Sequence, residues 1–211
     1  MIPKLHYISQ GNTIEEHLEN IQKACSAGAE IVELHVQDVS EKEHLKLAEE
    51  AREITSHFQT RLLLFNNYKI AKAVKADGVH LAQKDFTTKA RIHLYTWQII
   101  GGTANTLNEC EALLNDQVDY IRLAPFRSAK NQKNKSIVLG LNGYTAIVEA
   151  LKTNTPIIAS GGITTEDVTS ILATGISGVA VSKEITRNFD SIKLFHQLLN
   201  TSSVDEQRHT F

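Results

Sequence analysis

The sequence predicts a single-domain (β/α)8 barrel. Strand-like and helix-like segments alternate from end to end, and eight strand candidates can be counted in 211 residues. The strands are short continuous apolar runs, not strict alternations, as expected of parallel strands buried on both faces. The last two strands, Pro156-Ile-Ile-Ala-Ser160 and Gly178-Val-Ala-Val181, both end in small residues beside a helix start: Gly161-Gly162 and Ser182. In this barrel that is where a phosphate is held. A doubly wound open sheet is the alternative. No Gly-x-Gly-x-x-Gly follows the first strand to support it.

Each element has a local cause. Leu5-His-Tyr-Ile8 is the first strand. Thr13-Ile-Glu-Glu16 then forms a capping box, and an amphipathic helix runs to Gly28. The second strand is Glu30-Ile-Val-Glu-Leu-His-Val36. Ser40 starts a second helix with Leu45, Leu47, Ala48 and Ile54 among its apolar positions. Arg61-Leu-Leu-Leu-Phe65 is the third strand and ends in Asn66-Asn67; a short helix from Tyr68 to Lys75 leads to the fourth, Gly78-Val-His-Leu81. Gln98-Ile-Ile100 is the fifth, ending in Gly101-Gly-Thr103, and Asp119-Tyr-Ile-Arg-Leu123 the sixth. The barrel is expected over residues 1–200, with 201–211 as a polar, frayed tail.

Bulk properties narrow the function. A hydrophobic content of 42% suits one full core, and a net charge of -2 argues against nucleic acid or an anionic membrane as partner. No apolar run reaches membrane-spanning length, and the first residues do not form a signal peptide, so a cytoplasmic location is expected. Cys25 and Cys110 sit in helical patterns and read as small buried hydrophobes.

Ligands of this fold lie at the C-terminal strand ends. Gly161, Gly162, Val181 and Ser182 can offer backbone N–H groups and a hydroxyl to a phosphorylated small molecule; a tight turn needing glycine is the structural alternative. Asp85, just past the fourth strand, suits Mg²⁺ or a helix cap. Asn66 and Asn67 can orient a heterocycle or simply turn the chain. Glu33, His35 and Gln37 share a face if the second strand persists, making His35 a general base, a phosphate donor or a satisfied interior histidine. His80 lies within a strand with no Cys or His at ligand spacing, which argues against zinc. The polar loop from Ala124 to Lys135, with Arg127, Lys130, Lys133 and Lys135, is either a lid over an anion or a solvated connection.

From Leu5 to about Leu199 the chain resembles the thiamine phosphate synthase family and its sister thiazole tautomerases. The resemblance rests on Ala76-Asp-Gly-Val-His-Leu81, Ile99-Ile-Gly-Gly-Thr-Ala-Asn-Thr106, Ala124-Pro-Phe-Arg127, Leu139-Gly-Leu-Asn-Gly-Tyr144, Ala159-Ser-Gly-Gly-Ile163 and Gly178-Val-Ala-Val-Ser182. It implies a (β/α)8 barrel that joins an aminopyrimidine diphosphate to a thiazole phosphate with Mg²⁺, and a homodimer. Gly161, Gly162, Val181 and Ser182 match the family's thiazole phosphate site, Asn66 a pyrimidine contact, Thr103 a Ser or Thr near the pyrophosphate, and Asp85 one of two Mg²⁺ aspartates. The diphosphate end departs. A Gln-x-Arg-x-Lys pattern is Glu33, His35 and Gln37 here, the second Mg²⁺ aspartate is Asn67, and Lys133 is the remaining candidate for the loop lysine. The resemblance thus implies coupling of reduced efficiency, or a thiazole phosphate isomerase using His35, or a protein that only binds these phosphates. The tautomerases' catalytic histidine falls at Pro125.

Overall fold

In the computed structural model, eight parallel strands close on themselves in sequence order, β1 to β8, with β8 pairing back to β1. The structure describes residues 1–82, 88–127 and 137–205. The strands are β1 (Leu5–Ile8), β2 (Ile31–Leu34), β3 (Arg61–Phe65), β4 (Gly78–Leu81), β5 (Ile99–Ala104), β6 (Tyr120–Leu123), β7 (Ile157–Ser160) and β8 (Gly178–Val181). Between them lie α1 (Ile14–Ser26), α2 (Glu41–His57), α3 (Tyr68–Ala73), α4 (Thr88–His93), α5 (Leu107–Asn115), α6 (Gly140–Leu151), α7 (Val168–Leu172) and α8 (Lys183–Arg187), followed by α9 (Ser191–Asp205).

The expected barrel is present, with some local differences. Ser40 and Thr106 make reciprocal capping boxes with Glu43 and Glu109. Thr13 accepts the Glu16 N–H as expected, but Glu16 turns its carboxylate to the N–H of Asn12, one residue earlier. The second strand stops at Leu34, because the His35 N–H leaves the ladder for Ser9 Oγ. The fifth strand runs through its two glycines to Ala104. Gly101 is required there: a Cβ would lie 2.1 Å from the Tyr120 ring, which crosses the barrel at that point. α9 continues to Asp205, past the expected boundary at 200. Its buried face of Ile192, Phe195 and Leu199 anchors it, and Thr201 Oγ1 bonds back to Gln197 O. Residues 206–211 lie outside the described residues.

Two apolar layers hold the fold. The larger packs the outward faces of the strands against the helices and includes both free cysteines, Cys25 and Cys110. The smaller fills the barrel interior with Ile31, Leu63, Tyr120, Ile158 and Ala180. Strand side chains alternate, so the residue two positions on from each of these faces inward one layer nearer the mouth. Those residues are Glu33, Phe65, Arg122, Ser160 and Ser182. The barrel therefore has a mostly apolar base, with His6 buried against Tyr120, beneath a mostly polar layer whose apolar member is Phe65.

Candidate active site at the barrel mouth

The polar layer has a centre. β2, β4 and β6 each carry one polar residue as the third of four: Glu33, His80 and Arg122. In this barrel the side chains of alternate strands share a layer. Arg122 Nη2 lies 2.6 Å from Glu33 Oε2, and the two residues are 4% and 1% exposed. His80 bonds Tyr120 Oη at 2.8 Å through Nδ1 and Thr103 Oγ1 at 2.7 Å through Nε2. Burial opposes ionisation of Glu33, but Arg122, then the imidazoles of His80 and His35, hold its carboxyl well below the usual range. Burial first, then the Arg122 charge, pushes His80 well below its ordinary value, and pushes His6 down to about 3. Both rings are therefore neutral at pH 7.

This makes the fold acid-sensitive. A histidine kept neutral by folding contributes stability that is present above its unfolded pKa, about 6.5. That stability is lost as pH falls towards the folded value, because the unfolded chain takes up the proton first, by about 1.4 kcal/mol per pH unit and group. The urea midpoint should drop clearly between pH 7 and pH 5. An unchanged midpoint would contradict neutral buried rings.

His35 stands just beyond the end of β2. Its Nδ1 lies 2.8 Å from Glu33 Oε1, its ring stacks on Phe65 at 3.8 Å, and Gln37 Nε2 lies 3.3 Å from its Nε2. The shared face expected for Glu33, His35 and Gln37 thus exists although the strand has ended. Glu33 is not open to a ligand: one oxygen accepts from Arg122 and the other from His35.

At the far side, Gly161 and Gly162 have φ of 103° and 74°. A Cβ on Gly161 would approach Pro125 Cα at 2.9 Å and Phe126 N at 3.0 Å, so the turn closes tightly on the start of the β6 loop. Phe126 N–H donates to Ser160 O and Arg127 N–H to Gly161 O. Arg127 also bonds Gly162 O and pairs with Asp167. The one described cation of the expected lid is thus a clamp on the glycine turn; Lys130, Lys133 and Lys135 lie outside the described residues. The Ser182 hydroxyl caps no N–H of α8. Gly161, Gly162, Val181 and Ser182 line one cavity of ≈ 410 Å³, together with Lys183 and Arg187. A second, of ≈ 580 Å³, is lined by Ser9 to Ile14, His17, His35 and Gln37. The two share Ile8 and Ser182.

The amide oxygens at the end of β3 are both engaged by backbone N–H groups. Asn66 has φ of 53°, and its Oδ1 accepts the Ala82 N–H at 2.6 Å, which leaves its NH₂ for a ligand. Asn67 caps α3, accepting the Ile70 N–H at 3.0 Å. Mg²⁺ prefers carboxylate and phosphate oxygens. A neutral amide oxygen already engaged as a cap fits it poorly, and Asp85 lies outside the described residues. Among the described residues no group of three or more His, Cys, Asp or Glu can hold a metal. The described donor set alone does not make a magnesium site.

Sequence reasoning missed Arg122, Tyr120 and the Ser9–His17 pair, and gave His80 no role. Ser9 Oγ lies 2.9 Å from His17 Nδ1 and 3.0 Å from the His35 N–H it accepts, so α1 steadies the backbone of His35.

Residues 5–185 match the family model described as thiamine monophosphate synthase. The thiamine-phosphate synthase of Flavobacterium johnsoniae is 38% identical over 204 residues, which cover 95% of this chain and 96% of the relative. That of Flavobacterium psychrophilum is 40% identical over 202 residues, 94% and 98% of the two chains. In three dimensions, a thiamine phosphate pyrophosphorylase from Pyrococcus furiosus superposes with a TM-score of 0.80 at 23% identity, over 93% of this chain and 96% of that one, a likeness of fold. With its closed barrel, its glycine turn after β7 and relatives matched along nearly their whole length, the chain belongs to the thiamine monophosphate synthase family.

Proposed function

We propose that the chain is a thiamine phosphate synthase: it joins the methylene carbon of an aminopyrimidine diphosphate to the ring nitrogen of a thiazole phosphate and releases pyrophosphate. The observation that carries this, beyond family membership, is the pair of cavities meeting at Ile8 and Ser182. One end is built from positive-φ glycines, Ser182, Lys183 and Arg187, which suits the thiazole phosphate. The other is walled by His35 and Gln37 and suits the diphosphate substrate. In this reading the Asn66 NH₂ serves the pyrimidine and Thr103, whose hydroxyl bonds His80, stands near the pyrophosphate.

The coupling needs its leaving group neutralised as the C–O bond opens. Among the described residues the floor cation Arg122 is already held by Glu33, so it supports the site without reaching the mouth. Removing one oxyanion donor costs roughly 10²–10³ in rate, so a mouth with His35 and Gln37 in place of fixed cations is slow. Calorimetric titration with the thiazole phosphate, and with the aminopyrimidine diphosphate plus Mg²⁺, followed by a product assay, tests the reading. Binding of both with thiamine phosphate formed is the expected result. Binding of the thiazole phosphate alone, with no product, would overturn coupling and leave an isomerase or a binding protein.

A further inference from the structure

We infer that His35 is the general acid for diphosphate departure, with Glu33 as its positioning residue and Arg122 as the anchor of Glu33. The inference rests on the coupling reading above and deepens it.

The geometry fixes which nitrogen acts. Glu33 is ionised, and an ionised carboxylate only accepts. His35 Nδ1, 2.8 Å away, must therefore carry a proton and donate it, which leaves Nε2 as the exchangeable position. The ring is held from three sides: by Glu33 on β2, by the stacked Phe65 on β3, and through its backbone N–H by Ser9, itself bonded to His17 on α1. Arg122 keeps Glu33 from rotating away. His35 lines the cavity that reaches Ser182, and the Gln37 amide stands 3.3 Å from its Nε2. An amide serves either protonation state of that nitrogen, offering its NH₂ to the lone pair or its oxygen to the N–H.

The groups facing His35 are few. Glu33 carries a negative charge against its Nδ1, and Arg122 a positive one on the far side of Glu33. His17 and His80, whose own values are lowered by burial, face it uncharged at pH 7. Phe65 brings no charge, and Asp38 lines the neighbouring cavity with Gln37. In the step itself, the bond between the pyrimidine methylene and the diphosphate oxygen breaks, with its electron pair going to oxygen. The proton on Nε2 moves to that oxygen. The thiazole nitrogen lone pair forms the new C–N bond, giving the thiazolium. Neutral His35 then regains a proton from solvent. A proton delivered at the leaving oxygen does what a fixed cation does elsewhere, but only below the titration of the ring.

The experiment compares kcat against pH for the parent and His35→Gln, which keeps a hydrogen-bonding group and cannot carry the proton. The parent should lose kcat as pH rises through the imidazolium titration. His35→Gln should be about 10²-fold slower and flat in pH, with KM for the thiazole phosphate unchanged. Glu33→Gln should lower kcat with KM for the thiazole phosphate unchanged, and should shift the His35 Nδ1 signal that reports the bond to position 33. Independently of turnover, pyrophosphate added to protein with ¹⁵N-labelled histidine should shift the His35 Nε2 signal. A parental pH limb retained in His35→Gln, or an Nε2 signal unmoved by saturating pyrophosphate, overturns the inference. A parent that makes no product overturns the coupling reading instead, and the pyrophosphate titration then decides on His35 alone.

Discussion

Arg122→Met is expected to destabilise the barrel by about 3–5 kcal/mol at pH 7, because it leaves Glu33 charged and buried without its cation. Glu33 is 1% exposed, and its second oxygen reaches only His35. Protonation would relieve the strain, so the loss should depend on pH in a defined direction. In the parent the Glu33 carboxyl titrates below its unfolded value of about 4.3. Its contribution is present above that value and is lost as pH falls through the folded one. In the variant, burial without Arg122 moves the folded value above the unfolded one. The gap between parent and variant should therefore narrow from pH 7 towards pH 4. The companion Glu33→Leu/Arg122→Met removes both charges and should recover most of the stability, since apolar replacement of a buried pair is often neutral. Urea unfolding with a common m-value measures all three. A single variant within about 1 kcal/mol of the parent would show that the pair does not hold the floor.

Ser182→Asp is expected to weaken thiazole phosphate binding by roughly 10²- to 10³-fold. A carboxylate about 4 Å from a phosphate charge, at an effective dielectric near 20, is repelled by about 4 kcal/mol. Each 1.4 kcal/mol is a factor of ten in Kd. The fold should be untouched, because Asp is a favoured residue at the start of a helix and the Ser182 hydroxyl caps nothing in α8. Calorimetry reads the loss, and an unchanged melting temperature separates it from misfolding. If the variant bound the thiazole phosphate as well as the parent, the phosphate end would not lie at β8.

The architecture was legible because each strand is a short apolar run and the first two long helices, α1 and α2, begin at cap residues, Thr13 and Ser40. Ser40 with Glu43 is such a start, and the structure keeps it. The glycine turn at Gly161-Gly162 and the serine after β8 were visible because they interrupt apolar runs at the same end of the barrel. Arg122 was not, for a physical reason. Within Tyr120-Ile-Arg-Leu123 a lone cation looks like an edge or surface residue, and its partner lies 89 positions away on β2. A signal did exist: Glu33, His80 and Arg122 are each the third of four residues in alternate strands, the spacing that puts them in one layer. The roles of Asn66 and Asn67 were open in the sequence, since a turn and a ligand contact need the same amide. The structure shows Asn66 Oδ1 bonded to the Ala82 N–H just past β4 and Asn67 Oδ1 to the Ile70 N–H in α3. Arg127 looked like part of a lid, and only the position of Asp167 shows it as a clamp.

The Glu33–Arg122 pair also bears on how this mouth can change by mutation. Either residue replaced alone strands a buried charge, whereas both replaced together cost little. Sequences with and without the pair are thus two peaks separated by a valley of several kcal/mol, a large part of a domain's total stability. A lineage that acquired the pair is held to it. Position 33 is no longer free to become a neutral ligand-binding amide by one substitution, and further adaptation of the diphosphate end is channelled to residues outside the pair, with position 35 the nearest.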